Sequence, residues 1–208
     1  MGGWLIRFGD IGFLNRAVSF LDPLKNGLTA YFTAFKIESL KERFYKMIFL
    51  ENLYPDEWTE SVYSLEWEQL SVKYRAVIFD VDNTLVPHGA AADERAVRLF
   101  ERIHRLGVRT MLVSNNGEER VKPFADKVQT EYVYKAGKPK KRGYEDAMRR
   151  MGTTAENTLF IGDQIFTDIW GANRAGIHTI LTEPVAPSTD EIQIVIKRWF
   201  EKPFRRKR

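Results

Sequence analysis

The segment AVIFDVDNTLVP, residues 76–87, places two aspartates directly after a run of apolar residues. Asp80 and Asp82 are two positions apart, and on an extended chain residues at that spacing point to the same side. Two carboxylates held so close raise each other's proton affinity unless a positive charge lies between them. The pair therefore requires a cation, a proton or a chemical role.

Polar residues also end the apolar runs that follow along the chain. They are Ser114, Asn115 and Asn116 in VRTMLVSNN, Lys138 in EYVYKAGKP and Asp163 in NTLFIGDQ. In a sheet of parallel strands, ligands bind beyond the carboxyl ends of the strands. If these runs are such strands, we expect their polar ends to share one rim.

Residues of these types suit the transfer of a phosphoryl group. Several carboxylate oxygens favour Mg²⁺, which also relieves the repulsion between the first two aspartates. Ser114 can donate a hydrogen bond to a phosphoryl oxygen, and Lys138 supplies a positive charge against the transferring group. One aspartate can act as the nucleophile, and the one two residues on can donate and then accept a proton.

The elements that must position these residues alternate between strand and helix. Strands are predicted for AVIF, VRTMLVSNN, EYVYKAGKP, NTLFIGDQ and HTILTEPV, and helices for residues 93–106, 118–125, 141–151 and 168–175. Residues 51–75 read as an acidic loop. This alternation predicts an α/β fold, a doubly wound parallel sheet.

Four short motifs give the chain a recognisable resemblance. DVDNTL, VSNN, KP and GDQIFTD resemble, in this order, the four motifs of the haloacid dehalogenase (HAD) superfamily. YPDEWTESVYSL, YKAGKP and IGDQIFTDIWGANRAGIHTILTEPV are similar to the YqeG-type phosphatases of that superfamily and to the related mitochondrial phosphatidylglycerophosphate phosphatases. The resemblance runs from about residue 44 to the end of the sheet and implies a HAD-like Rossmannoid fold.

The resemblance implies a catalytic role for the first motif. Asp80 would be the nucleophile and a Mg²⁺ ligand. Asp82 would be the general acid and base, with its backbone carbonyl on the metal. Thr84 would brace the loop and belong to the substrate-binding residues.

The resemblance also implies roles for the other three motifs. Ser114 and Lys138 would hold the phosphoryl group. Asn115 and Asn116 would bind the substrate together with Lys138. Asp163 and Asp168 would be ligands of the metal ion. Asp168 also fits the N-cap of a helix without any metal contact.

The spacing of the motifs bears on the size of the substrate. Between Asp80 and Ser114 there is room for one helix and one strand, and between Ser114 and Lys138 for another small unit. Neither gap holds the cap domain that covers small substrates in the superfamily. The resemblance therefore predicts a capless, open site, which suits a phosphate on a large or membrane-bound molecule.

Composition divides the chain into three parts. Residues 1–50 are predicted to form an aromatic amphipathic helical extension, and residues 51–196 are predicted to form the phosphatase domain. Residues 197–208 are predicted to be a basic tail, which contains seven basic residues and one glutamate. Both ends favour an anionic membrane surface. The tail also fits a solvated, disordered segment, and the N-terminal helices also fit a hairpin packed on protein.

The absence of cysteine excludes disulfides, thiolate catalysis and cysteine-based metal sites. No apolar run approaches the about 18 residues of a membrane span. We expect a cytoplasmic protein, peripheral on the inner face of a membrane, that hydrolyses the headgroup phosphate of phosphatidylglycerophosphate with Mg²⁺. The alternatives are a phosphatase of soluble or nucleic-acid phosphates and a non-catalytic scaffold on a ribosome or GTPase. The oligomeric state stays open.

Overall fold

The computed structural model describes residues 50–189, 192–202, 204 and 205, so the helices predicted before residue 50 lie outside the described residues. Six strands form a single parallel sheet in the order β1-β6-β5-β2-β3-β4. Their bounds are β1 Glu57–Thr59, β2 Ala76–Phe79, β3 Arg109–Val113, β4 Glu131–Val133, β5 Thr158–Gly162 and β6 His178–Thr182.

Helices connect the strands and cover the sheet. They are α1 Trp67–Lys73, α2 Glu94–Arg105, α3 Glu118–Val128, α4 Arg142–Met151, α5 Trp170–Arg174 and α6 Ile192–Glu201. Single 3₁₀ turns occur at Val62–Ser64, Ala155–Asn157 and Pro187–Thr189, and a π-helical turn at Ile165–Ile169.

Strand β2 shows why the sheet needs a layer of helices on each face. All four of its residues are buried. Val77 and Phe79 pack into the cluster that includes Phe100 of α2, whereas Ala76 and Ile78 pack into the cluster that includes Tyr144 of α4. Successive side chains of a strand point to opposite faces, so an entirely apolar strand is stable only where both faces are covered. This confirms the predicted α/β fold.

The chain order places β2 and β5 side by side at the point where the strand order reverses. From β2 the chain runs outward through β3 and β4, then returns to the other side of β2 with β5 and β6. Phe79 of β2 lies opposite Ile161 of β5, and the backbone N–H of Asp80 donates to the Ile161 carbonyl at 3.0 Å. Such a reversal opens a crevice beyond the strand ends, and Asp80 and Asp163 border it.

The connections after β2 are as short as the motif spacing predicts. One helix, α2, separates β2 from β3, and one helix, α3, separates β3 from β4. The described fold therefore has no cap domain in either connection, which confirms the capless arrangement.

The segment predicted as an acidic loop, residues 51–75, holds structure instead. Its residues 57–59 form β1, which pairs in parallel with β6 at the edge of the sheet, and α1 follows. The expectation was wrong because both elements are short: a three-residue edge strand and a seven-residue helix lack a clear hydrophobic period.

Helix α6 includes the first residues of the predicted basic tail, since it runs through Glu201. The half-buried side chains of Arg198 and Arg205 contact the loop after β5. No helix in the described part of the chain has the length and apolar character that crossing a membrane requires.

Candidate active site

Three buried aspartates meet at the carboxyl rim of the sheet. Asp80 follows β2, Asp163 follows β5, and Asp168 lies in the π-helical turn after β5. Each offers a carboxylate oxygen within 4.8 Å of the others. Carboxylates this close and this buried repel one another strongly, so their arrangement requires positive charge.

Gly162 and the π-helical turn bring Asp168 into this cluster. A Cβ atom at position 162 would lie 2.6 Å from the Asp168 side chain, so only glycine leaves room for it. The Asp168 carboxylate accepts from the backbone N–H of Gln164 at 3.0 Å. The N-cap of α5 is Ile169, which makes no side-chain cap bond. The alternative that Asp168 is a helix N-cap is therefore wrong, because the helical turn begins before it.

Lys138 supplies the first positive charge. Its buried ammonium group donates to Asp80 Oδ1 and, at 2.6 Å, to Asp168 Oδ1. Burial alone would lower the pKa of Lys138, but the charges of Asp168 and Asp80 raise it above its ordinary value. Lys138 is therefore charged at neutral pH and acts as a fixed bridge between the two carboxylates.

This single ammonium does not neutralise the cluster. Burial raises the pKa of Asp80 well above its ordinary value; Lys138 opposes that shift, while Asp168 and Asp163 add to it. Burial and the charge of Asp168 raise the pKa of Asp163 to about 7, against the opposing effect of Arg198. The carboxylates retain an excess of negative charge that a cation would stabilise.

Asparagines and hydroxyls fix the geometry around the cluster. Thr84 donates to Asp163 Oδ1 at 3.2 Å, more closely than to Asp80 Oδ2 at 3.5 Å. Asn115 uses its whole amide on the backbone of Lys138, accepting from its N–H at 2.7 Å and donating to its carbonyl at 3.2 Å. The structure thus brings Asn115 to the lysine loop, whose Lys138–Pro139 peptide bond is cis.

Asp82 lies near the cluster but outside it, with different partners. Its Oδ2 accepts from Asn116 Nδ2 at 2.5 Å, and its Oδ1 accepts from Arg120 Nη2 at 2.8 Å and from the backbone N–H of Gly89 at 2.7 Å. The first two aspartates therefore pair with different cations, Asp82 with Arg120 and Asp80 with Lys138, which Asp80 shares with Asp168. Arg120 was not predicted from the sequence, because it lies inside α3, away from the strand ends.

Ser114 is buried at the end of β3, and its hydroxyl oxygen accepts the backbone N–H of Asn116 at 3.2 Å. Its backbone N–H donates to Val133, and its carbonyl accepts the N–H of Ala136, both at 3.0 Å. These bonds tie β3 to the chain that leads to Lys138. Ser114 and Lys138 thereby lie at the ends of neighbouring segments of the same rim.

Two arginines near the C-terminal end hold Asp163, and sequence reasoning assigned them only to a basic tail. Arg198 forms an ion pair with Asp163 Oδ2, and Arg205 donates to the Asp163 backbone carbonyl at 2.5 Å. Arg205 also donates to Glu183 at 3.1 Å. Their signal is weak because they are separated from the four motifs and lie among other basic residues.

The donor set fits a hard divalent cation. It consists of oxygen atoms from three buried carboxylates, without histidine or cysteine among the clustered ligands. Carboxylate oxygen sets of this kind bind Mg²⁺ together with water and substrate phosphate. Asp80, Asp163 and Asp168 are the residues of the described chain that would hold the ion.

Comparison with known proteins identifies the family of the chain. Residues 88–176 match a family model for haloacid dehalogenase-like hydrolases, a span that includes Ser114, Lys138, Asp163 and Asp168. Over 136 residues the chain is 39% identical to the probable phosphatase YqeG of Bacillus subtilis, covering 64% of this chain and 79% of that protein. The chain belongs to the haloacid dehalogenase-like phosphatases, in the YqeG-type group. This confirms the resemblance drawn from the four motifs.

More distant relatives of this phosphatase are also found. It is 25% identical over 158 residues to phosphatidylglycerophosphate phosphatase 1 of Arabidopsis thaliana, covering 66% of this chain and 45% of that protein. It is also similar to the cobalt-bound deoxy-D-mannose-octulosonate 8-phosphate phosphatase of Haemophilus influenzae, with 18% identity, a TM-score of 0.46, and coverage of 62% and 77% of the two chains. The cluster of three buried aspartates is one that could hold a divalent metal ion.

Proposed function

We propose that this phosphatase hydrolyses a phosphomonoester in two steps through an aspartyl-phosphate on Asp80, with Mg²⁺ as its metal. The observation that supports this best is the bridge from Lys138 to Asp80 and Asp168 inside the buried aspartate cluster. It holds one oxygen of Asp80 in a fixed direction at the crevice of the sheet. A fixed, desolvated carboxylate at such a crevice is suited to nucleophilic attack on phosphorus.

In the first step, the Asp80 carboxylate attacks phosphorus and the bond to the ester oxygen breaks, with Asp82 giving that oxygen its proton. In the second step, Asp82 takes a proton from water as the water attacks the aspartyl-phosphate, which releases phosphate and restores Asp80. Ser114 and Lys138 orient the phosphoryl group throughout. A bound Mg²⁺ would offset the charge of the phosphoryl oxygens.

We propose that the substrate is phosphatidylglycerophosphate, which yields phosphatidylglycerol, and that the enzyme is peripheral on an anionic membrane. Three features support this: the capless crevice, the basic C-terminal residues and the similarity to the Arabidopsis protein. An uncapped site leaves the rest of a phospholipid outside the crevice while its headgroup phosphate enters. The basic residues favour an anionic surface.

Phosphate release from phosphatidylglycerophosphate in mixed micelles with Mg²⁺ tests this substrate. We expect release that stops when EDTA is added. The matched assay uses p-nitrophenyl phosphate under the same conditions. Rapid cleavage of p-nitrophenyl phosphate together with no release from the lipid would contradict the lipid substrate, while leaving the two-step chemistry intact.

Arg120 provides a test of the role proposed for Asp82. We expect Arg120→Ala to slow hydrolysis of an alkyl phosphate by about tenfold to 100-fold, because Asp82 loses one of its three partners and is no longer held for proton transfer. Hydrolysis of p-nitrophenyl phosphate should fall much less, since that leaving group needs little proton donation. The measurement is the steady-state rate of hydrolysis of the alkyl phosphate and of p-nitrophenyl phosphate.

Two further variants control this experiment. Arg120→Lys keeps a positive charge beside Asp82 and should recover part of the alkyl phosphate rate. Arg98→Ala removes an arginine whose ion pair with Glu94 lies at the exposed surface of α2, and should change neither rate. An equal loss on both substrates would show a structural role for Arg120 instead.

The raised pKa values of the cluster predict how metal-free stability depends on pH. In the folded protein the pKa of Asp163 is about 7, above the ordinary value of 3.8. Between these values the folded state binds more protons than the unfolded state, so stability falls as pH rises. In EDTA, we expect the proton bound to Asp163 to be lost between pH 5 and pH 8 and the melting temperature to drop by roughly 5 °C as a result.

Mg²⁺ should reverse that loss, because it takes the place of the bound protons. Thermal unfolding at pH 5 and pH 8, with EDTA or Mg²⁺, makes the measurement, and we expect the larger stabilisation at pH 8. The Asp163→Asn variant should show a flatter pH dependence in EDTA. Equal stabilisation by Mg²⁺ at both pH values would be evidence against metal binding at these carboxylates.

A further inference from the structure

One face of α6 carries large apolar side chains that the described chain leaves uncovered. Val195, Ile196, Trp199 and Phe200 are 48%, 54%, 63% and 56% exposed. Residues at this spacing lie on one side of a helix with 3.6 residues per turn. The rings of Trp199 and Phe200 meet edge to face, 5.0 Å apart. We refer to these four residues as the outer face of α6.

The opposite side of α6 is fixed to the active site. Arg198 forms its ion pair with Asp163, and the buried Glu201 accepts from the backbone N–H of Phe166 at 3.0 Å. Turning the outer face inward would break both contacts and leave Glu201 and Asp163 without these partners. The outer face is therefore held in its exposed direction by the same residues that hold Asp163.

Exposed lysines border the outer face. Lys197 precedes Trp199 in the helix, and Lys202 follows Glu201. Since each residue turns the helix by about 100°, the two lysines lie on opposite sides of the apolar face. Their long side chains can lie along an apolar surface while the ammonium groups reach outward. The sequence has three more basic residues further on, Arg206, Lys207 and Arg208.

We propose that the outer face of α6 docks on the surface of an anionic phospholipid bilayer. Aromatic and aliphatic side chains bordered by lysines are suited to the boundary between headgroups and acyl chains. The lysines would pair with anionic headgroups at such a surface. Docking places the bilayer surface about one helix diameter, roughly 10 Å, from Asp163.

Charge argues against a second copy of the chain as the occupant of this face. A second copy would bring its own Lys197 and Lys202 against the first pair, and these like charges repel. An anionic lipid surface is instead complementary to the lysines.

This inference deepens the proposed function and rests on it for the identity of the substrate, so docking is tested without the substrate. The experiment is flotation of the full chain with phosphatidylcholine vesicles that contain about 30% phosphatidylserine, compared with pure phosphatidylcholine. We expect binding to the anionic vesicles that weakens in high salt. Phosphatidylserine is neither substrate nor product, so the active site does not contribute.

The double variant Trp199→Ala with Phe200→Ala should bind these vesicles at least about tenfold more weakly, because it loses most of the apolar area of the outer face. Val72→Ala is the matched control, since Val72 is exposed on α1, away from α6 in the sequence. Both variants should hydrolyse p-nitrophenyl phosphate at the wild-type rate, which shows that they fold.

Three outcomes overturn the docking proposal, and a fourth contradicts only the substrate. Wild-type protein that does not float with the anionic vesicles contradicts it, as does a double variant that floats like the wild type. A wild-type dimer that the double variant converts to a monomer, without vesicle binding, assigns the face to a second copy. Flotation of a wild type that releases no phosphate from phosphatidylglycerophosphate contradicts the substrate alone and supports the docking.

Discussion

Replacing Asp80 by asparagine should lower phosphate release by at least about 1,000-fold, because an amide oxygen is too weak a nucleophile to attack phosphorus. Asparagine has nearly the same shape as aspartate, so the position of the side chain is preserved. The first measurement is the steady-state rate of p-nitrophenyl phosphate hydrolysis with Mg²⁺. The second is the amount of radioactive phosphoryl group that becomes covalently attached to the protein. Both signals should disappear in Asp80→Asn.

The fold should survive this change. Burial raises the pKa of Asp80 well above its ordinary value, so keeping the carboxylate charged is costly without metal. A neutral amide removes that cost, and we expect Asp80→Asn in EDTA to melt at the wild-type temperature or above it. Loss of activity with retained stability separates a chemical role from a structural one.

The matched control for Asp80→Asn is Asp126→Asn. Asp126 is an exposed aspartate on α3, paired with Lys122 at 2.6 Å, and it makes no contact with the site. It should change neither rate nor labelling. An Asp80→Asn protein that keeps its activity would contradict the nucleophile assignment and would favour a non-catalytic scaffold.

The residues at the rim of the sheet could be predicted because buried parallel strands appear in the sequence as apolar runs that end in polar residues. The apolar run of β2 is buried on both faces. The polar residues that follow it are therefore expected to lie in the crevice beyond the strand ends. The same holds for Ser114 after β3 and Asp163 after β5. Proximity in space therefore followed from position at a strand end, without knowledge of side-chain contacts.

The partners of these residues were not predictable in the same way. Arg120 reaches Asp82 from the first half of α3, and Arg198 reaches Asp163 from α6, across 38 and 35 residues of sequence. Nothing in helical periodicity distinguishes an arginine that turns toward a site from one that points to water. The approach of Asp168 depends equally on a π-helical turn and on the missing Cβ of Gly162.

The first two aspartates show what the structure adds to a pattern. Their spacing predicted that they share one side of the chain and one cation. The strand ends at Phe79, and beyond it Asp82 forms an isolated β-bridge with Val86. Asp80 turns to Lys138 and Asp82 turns to Arg120. In the proposed mechanism, two different cations would let Asp80 attack phosphorus while Asp82 moves protons.

Lys138→Met should produce the largest loss of stability, because it leaves buried carboxylates facing one another without their shared ammonium group. Removing one partner of a buried ion pair costs about 3–5 kcal/mol, which for a chain of this size lowers the melting temperature by roughly 10 °C. Methionine keeps much of the length and volume of the lysine side chain. Thermal and denaturant unfolding in EDTA measure the effect.

The chain offers an exposed lysine–aspartate pair as a control. Lys122 and Asp126 lie one turn apart on α3, with most of both side chains in solvent. Water screens such a pair and side-chain entropy opposes it, so Lys122→Met should melt close to the wild-type temperature. The comparison isolates burial, since both changes remove the same ammonium group from an aspartate.

A second substitution identifies the origin of the loss. Lys138→Met combined with Asp168→Asn removes the positive charge together with one of its two negative partners, so the double variant should be more stable in EDTA than Lys138→Met alone. Such non-additivity is expected only for groups that interact directly. Mg²⁺ should also stabilise Lys138→Met more than it stabilises the wild type, because the ion restores positive charge among the carboxylates. If Lys138→Met unfolded like the wild type in EDTA, the carboxylates would have to be protonated at neutral pH, and Lys138 would serve only to hold the phosphoryl group.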